Sequence, residues 1–239
     1  MRAPQLSVAV LLTAGLLGCA EPQLPDQPSA EGAEAPAEQA TPQPERDALL
    51  AATNELTAAV EQARDLLTEA GQAPEPAAAR QAAQQALAVL VDGAGSGTPP
   101  GRPIFPGTTV EERGGAGEAD DALTLALTAA NDAGGSLGRG VADALRDPLA
   151  GDLGAWQRDP AGMVALVEEQ MDGVGDLESA EQLVRELPGD GTRALAWAYL
   201  TAGATTMDDA ARYAERGAAH LEIVLVAVDA ALDGAGPSA

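Results

Sequence analysis

The longest apolar pattern in the chain lies near its C-terminal end. Between residues 207 and 232, apolar side chains recur at intervals of four and three residues, which places them on one face of an α-helix. Thr206 and Asp209 match a capping box, in which the side chain ahead of a helix accepts one of its unpaired amides. Because Ile223 and Val226 add apolar residues outside that face, we predict that the second half of this helix is central in the fold.

Large aromatic side chains are scarce, with two Trp, two Tyr and one Phe in 239 residues. Alanine, leucine and valine must therefore supply the core, and such small side chains let helices pack closely. Helical stripes of these residues recur from residue 46 onwards, separated by breaks rich in glycine and proline. The sequence predicts an all-α fold, an antiparallel helical bundle of about seven or eight helices preceded by a disordered stalk.

The longest break is a predicted loop over residues 92–117. It contains eight glycines and four prolines, a composition that excludes regular helix through most of it. The loop also holds the only phenylalanine of the chain. Because exposed apolar pairs are costly, we expect Ile104 and Phe105 to dock onto the bundle rather than to form a contact surface.

Short motifs predict where several helices begin. An Asp-Pro pair is a strong start signal, since the carboxylate accepts unpaired amides and proline has no amide to lose. Such pairs stand at Asp147-Pro148 and Asp159-Pro160, and each is predicted to open a short helix. Ser136 follows two glycines that are expected to end the preceding helix, and it is predicted to cap the next one.

The stretch from Arg146 to Asp159 combines a rare tryptophan, Trp156, with arginines and aspartates. This composition makes the stretch a candidate binding surface. The alternative is a buried Trp156 with charges that cap helices or pair with each other, since Asp-Pro capping already explains most of these residues.

The N-terminal region has the layout of a secretory signal. Cys19, the only cysteine, ends an apolar stretch that begins at Leu6 behind a short basic start. The residues Leu16-Leu17-Gly18-Cys19 resemble the lipobox of bacterial lipoproteins. The resemblance implies cleavage before Cys19 and attachment of lipid, such as palmitate, to that residue.

The segment after Cys19 is expected to be a tether. Residues 20–45 contain six acidic residues and no basic ones, and such a segment cannot bury enough apolar surface to offset its ordering entropy. The predicted organisation is a signal peptide (1–18), a lipidated cysteine with a disordered, acidic, proline-rich linker (19–45), and a helical domain (46–239) made of a hairpin (47–91), the loop (92–117) and a bundle (118–234).

The charge of the chain restricts its partners. The net charge is −24, and all 13 basic residues are arginine. Such a surface disfavours nucleic acid, so cations or basic partners are the natural counterparts. Adaptation to salt is the alternative explanation of an acidic surface without lysine, and it requires no specific partner. We expect the membrane as a partner through the lipid on Cys19, and an envelope protein as a second one. The cell membrane and the outer membrane both remain open as the location, as does the oligomeric state.

The residue inventory excludes several chemistries. Without lysine there is neither a Schiff base nor a P-loop, and without a free cysteine there is no thiol catalysis. A single histidine, His220, does not make a zinc or copper site. We therefore expect no cofactor and no catalytic or metal-binding residue, and predict a non-catalytic, membrane-anchored binding domain.

Two alternatives to this prediction stay open. The motif around Ser136, Gly-Gly-Ser-Leu-Gly, formally matches the nucleophile elbow of serine hydrolases, and His220 follows in the required order. The segment ahead of Ser136 is predicted to be a helix, however, where an elbow needs a strand. The second alternative is a site for a divalent cation, with candidate carboxylate pairs at residues 111–112, 120–121 and 208–209.

Overall fold

The computed structural model describes residues 41–91, 95, 101–106 and 121–234. These residues form nine α-helices and a π-helical segment, with no strand, which confirms the all-α helical bundle with slightly more helices than predicted. The predicted signal peptide, Cys19, and most of the linker and of the 92–117 loop lie outside the described residues. The elements are α1 (Gln43–Gln72), α2 (Pro76–Leu90), α3 (Ala122–Ala133), α4 (Gly135–Ala144), the π segment (Leu145–Ala150), α5 (Leu153–Arg158), α6 (Pro160–Met171), α7 (Leu177–Glu186), α8 (Asp190–Gly203) and α9 (Met207–Gly234).

Helix α9 packs mainly on α1 and α8, while α1 also packs on α2 and α3. Small side chains permit this arrangement, as predicted from the composition. Where α1, α2 and α9 meet, the contact consists of alanines, which bring the helix backbones close together. These alanines are Ala70, Ala82, Ala83 and Ala214.

The segment 101–106 links the end of α2 to the start of α3. The amides of Ile104 and Phe105 donate to the carbonyl oxygens of Val89 and Leu90, both at 2.9 Å. In return, two carbonyl oxygens of the segment accept the first two amides of α3, at 2.9 and 3.1 Å. Helix ends leave such groups without intrahelical partners, so one short segment satisfies two helix ends at once.

Phe105 is fully buried, and its ring stacks on that of Trp156 with centroids 4.2 Å apart. The indole Nε1 of Trp156 donates to the hydroxyl of Thr192 in α8 at 3.2 Å. Gly191 permits this close packing, because a Cβ there would lie 2.8 Å from Phe105 and 2.6 Å from the carbonyl oxygen of Leu149. The expected docking of Ile104 and Phe105 is confirmed, and Trp156 belongs to the core rather than to a binding surface.

Two predicted helix starts are wrong. Pro148 opens no helix but lies inside the π segment, whose wider turn lets the chain pass a residue that cannot donate the α-helical bond. The next helix begins behind Asp152, whose carboxylate accepts the amide of Ala155. Ser136 lies in the first turn of α4 and makes no capping bond, because Gly134 occupies the cap position.

Other predicted starts are confirmed. Asp159 accepts the amide of Gly162 at 2.8 Å and Pro160 is the first residue of α6. Thr206 accepts the amide of Asp209 at 3.1 Å at the start of α9. Helix α1 begins at Gln43, slightly before the predicted end of the linker at residue 45, because proline in a first turn has no amide to lose.

The prediction that the second half of α9 is central is wrong for one of its faces. Ile223 is 50 % exposed and Val226 is 61 % exposed, whereas Leu221 and Val224 are fully buried. An apolar residue outside the regular stripe is buried only if another element covers it, and no described element covers this side of α9.

We predict that Phe105→Ala lowers the free energy of unfolding by about 3–5 kcal/mol, because it removes a buried aromatic ring and leaves a cavity beside Trp156. Ile104→Val, a milder change in the same segment, should cost about 0.5–1.5 kcal/mol. Urea unfolding followed by circular dichroism measures both. Equal losses for the two variants would contradict a core organised around the Phe105 ring.

Candidate functional site

Two clefts lie along the hairpin formed by α8 and α9. The larger one has a volume of about 840 Å³ and lies between the end of α6, the turn that follows it, the end of α8 and the start of α9. We call it the acidic cleft, since four carboxylates line it and no arginine of the described residues does. Its polar side chains are Glu168, Glu169, Asp172, Tyr199, Thr205, Asp209 and Tyr213.

Both tyrosines of the acidic cleft are held in the protonated form. Burial raises the pKa of Tyr199, and the nearby carboxylate of Glu168 raises it further. Burial also raises the pKa of Tyr213, to which the charge of Asp209 adds. The Tyr199 hydroxyl oxygen is buried, and hydrogen bonding to the Glu168 carboxylate contributes to its raised pKa. The cleft therefore combines negative charge with the rings of two protonated tyrosines.

The smaller cleft has a volume of about 350 Å³ and lies between α7, α8 and α9. We call it the arginine cleft, because three of its lining side chains are arginines. Beside Val184, its lining consists of Glu181, Arg185, Arg193, Trp197, Arg216 and His220. The rings of Trp197 and Tyr213 stack with centroids 5.8 Å apart, so one stacked pair contributes a ring to each cleft.

Asp190 and Arg193 fix the frame of the arginine cleft. The guanidinium of Arg193 donates to the carbonyl oxygens of Leu187 and Arg185 at the end of α7, at 3.0 and 3.4 Å. It also pairs with Asp190, the first residue of α8, at 3.3 Å. Helix C-termini expose unpaired carbonyls. The Arg193 side chain bonds to these carbonyls at the end of α7 and so connects α7 to α8.

His220, the histidine considered for catalysis, contacts Asp190 with 2.8 Å between Nδ1 and Oδ1. An ionised carboxylate only accepts hydrogen bonds, so the proton of the neutral imidazole belongs on Nδ1. This pair has the arrangement of the Asp and His of a catalytic triad. The residues that line the arginine cleft, however, include no serine, threonine or cysteine.

Ser136 is exposed at the start of α4 and does not line the cleft that contains His220. The nucleophile elbow holds its serine on a strained turn between strand and helix. Helix α3 precedes Ser136, and among the described residues only glycines have a positive φ. The Gly-Gly-Ser-Leu-Gly motif is thus a junction between two helices.

The candidate carboxylate pairs have local partners where the structure describes them. Asp121 accepts the amide of Thr124 at 2.8 Å as the cap of α3, and Asp208 pairs with Arg212 at 2.8 Å. Residues 111, 112 and 120 lie outside the described part of the chain. Within the part described, no group of three or more His, Cys, Asp or Glu side chains is arranged to hold a metal ion.

Neither cleft was predicted from the sequence. Arg185, Arg193 and Arg216 lie on three different helices, and no spacing along the chain indicates that they meet. The sequence contains one indication of the acidic cleft, because Glu168, Glu169 and Asp172 lie close together at the end of α6. Carboxylates at a helix C-terminus oppose the helix dipole, so their presence there calls for a reason other than helix stability.

Comparisons with known proteins identify no relative of this chain. No family model matches the chain, and no curated protein or solved structure shows significant similarity to it. None of the helices in the described residues is both long enough and apolar enough to cross a bilayer.

The raised pKa of Tyr199 predicts a stability that falls in alkali. Above pH 10 the unfolded chain releases the tyrosine proton while the folded chain keeps it, so the free energy of unfolding decreases as the pH rises. Because the chain has no lysine, few other groups titrate in that range. Urea unfolding between pH 9 and 11 should show a smaller decrease for Tyr199→Phe. An unchanged decrease in this variant would contradict the burial of the Tyr199 hydroxyl.

Proposed function

We propose that the protein is a lipid-anchored, extracytoplasmic binding protein that acts without catalysis and holds a positively charged partner in its acidic cleft. One observation carries the proposal: a cleft of about 840 Å³ is lined by four carboxylates, with no arginine to neutralise them. The partner that fits best is a basic segment of an envelope protein.

The charge distribution supports a basic partner. The net charge of −24 attracts cations over distance, and the four carboxylates concentrate this attraction at the cleft. Tyr199 and Tyr213 add ring faces, which attract guanidinium and ammonium groups. A volume of about 840 Å³ is sufficient for several side chains of a peptide.

The test compares two variants with the same change in charge. Glu168→Gln/Glu169→Gln/Asp172→Asn removes three charges of the acidic cleft, and Glu61→Gln/Glu215→Gln/Asp229→Asn removes three exposed charges elsewhere. A fluorescent oligoarginine peptide is titrated with the full chain in detergent at constant salt, and its anisotropy is measured. We expect the cleft variant to weaken binding roughly tenfold or more, at a few tenths to one kcal/mol for each lost ion pair.

The control variant should weaken binding only slightly, because screened charges far from the ligand contribute little. Tyr199→Phe keeps the charge and removes only the hydroxyl, so weaker binding by this variant locates the peptide in the cleft. Equal losses for the two triple variants would overturn the proposal. Labelling of the protein by a fluorophosphonate, abolished by Ser136→Ala, would favour the hydrolase alternative instead.

The anchor is tested separately from the cleft. Helix α1 begins 24 residues after Cys19, and a coil of that length reaches on the order of 30 Å. We expect Cys19→Ser to move the protein from the membrane fraction to the soluble fraction, because serine lacks the thiol to which the lipid would be attached. Retention of the variant in the membrane fraction after a carbonate wash would contradict lipid anchoring through Cys19.

A further inference from the structure

The arginine cleft reverses the charge of the surface around it. The chain carries −24 overall and contains only 13 arginines, yet three of them are among the seven residues that line this small cleft. Two acidic side chains bond to residues of the cleft: Glu181 pairs with Arg216, and Asp190 contacts His220. Three arginines against two carboxylates leave the cleft with an excess of positive charge.

Two of the three arginines have guanidinium nitrogens that bond to no described atom. In Arg193, by contrast, Nε and both terminal nitrogens each make a bond. Arg216 uses Nη2 alone, in a 2.8 Å ion pair with Glu181. The side chain of Arg185 is exposed and has no hydrogen bond or ion pair with any described residue. A guanidinium presents five donors in a planar fork that fits carboxylate and phosphate oxygens.

A third group of the cleft also lacks an acceptor. Trp197 is only 2 % exposed, and its indole Nε1 is buried with no hydrogen-bond partner among the described residues. Leaving a buried donor without a partner destabilises the folded state, so such groups in folded proteins call for a reason. Because the indole nitrogen can only donate, the missing partner must be an acceptor.

We propose that the arginine cleft binds an oxyanion, a carboxylate or a phosphate group, between Arg185, Arg216 and Trp197. Such a group supplies acceptor oxygens and negative charge together, which neither a water molecule nor a cation does. The volume of about 350 Å³ admits either group. This site is separate from the acidic cleft and does not depend on the function proposed for it.

The two tryptophans provide an internal control. Trp156 already bonds to Thr192, whereas Trp197 has no partner. The full chain, labelled with ¹⁵N, is titrated with inorganic phosphate or with acetate in place of sodium chloride at constant ionic strength. We expect the indole signal of Trp197 to shift in a saturable way with at least one of the two probes, while that of Trp156 stays in place.

Matched arginine variants separate a site from diffuse charge. Arg185→Gln/Arg216→Gln should weaken oxyanion binding at least tenfold, whereas Arg146→Gln/Arg212→Gln, with the same loss of charge at exposed positions, should leave it within about twofold. If the double variant unfolds, Arg185→Gln alone tests oxyanion binding, because the Arg185 side chain has no described partner to lose. Saturation by phosphate alone or by acetate alone identifies the group that the site prefers.

Two results would overturn the proposal. One is a Trp197 signal that stays unmoved or shifts without saturation in both titrations. The other is an equal loss of binding in the two double variants. Either result would mean that Arg193 and Arg216 serve only to pair α7 with α8 and α9. Neither result bears on oligoarginine binding in the acidic cleft, so the two proposals fail independently.

Discussion

The four hydrogen bonds made by the backbone of Pro103, Ile104 and Phe105 are the interaction on which the remaining structure depends. They supply acceptors to the first amides of α3 and donors to the last carbonyls of α2, at ends that are buried from water. Unpaired polar groups at such ends would cost more than the apolar contacts around them return. Through its ring, Phe105 then joins this junction to Trp156 and α8, so the N-terminal hairpin and the C-terminal helices share one core.

Helix α8 packs in this core and also lines both clefts. Thr192 in its first turn receives the bond from Trp156, and Arg193 beside it ends α7. One to two turns further along, Trp197 and Tyr199 line the arginine cleft and the acidic cleft respectively. Each cleft is therefore formed in part by side chains on a helix whose position the core fixes, and the turn after α6 completes the acidic cleft.

The sequence predicted those features that local chemistry decides. The helical stripes, the cap at Asp159 and the docking of Phe105 follow from periodicity, from hydrogen bonding over three residues, and from the cost of an exposed ring. It did not predict the exposure of Ile223 and Val226, since a helix that is apolar on several sides does not reveal which sides have neighbours. The arginine cleft was unpredictable because its charges come together only when α7, α8 and α9 pack.

Helix α7 lies between the two clefts. The turn just ahead of the helix contributes Gly173 and Gly175 to the acidic cleft, while Arg185 near its other end lines the arginine cleft. The ion pair between Glu181 of this ten-residue helix and Arg216 connects it to α9. Were a ligand in one cleft to shift α7, the affinity of the other cleft would change, and linkage requires this effect to be equal in both directions.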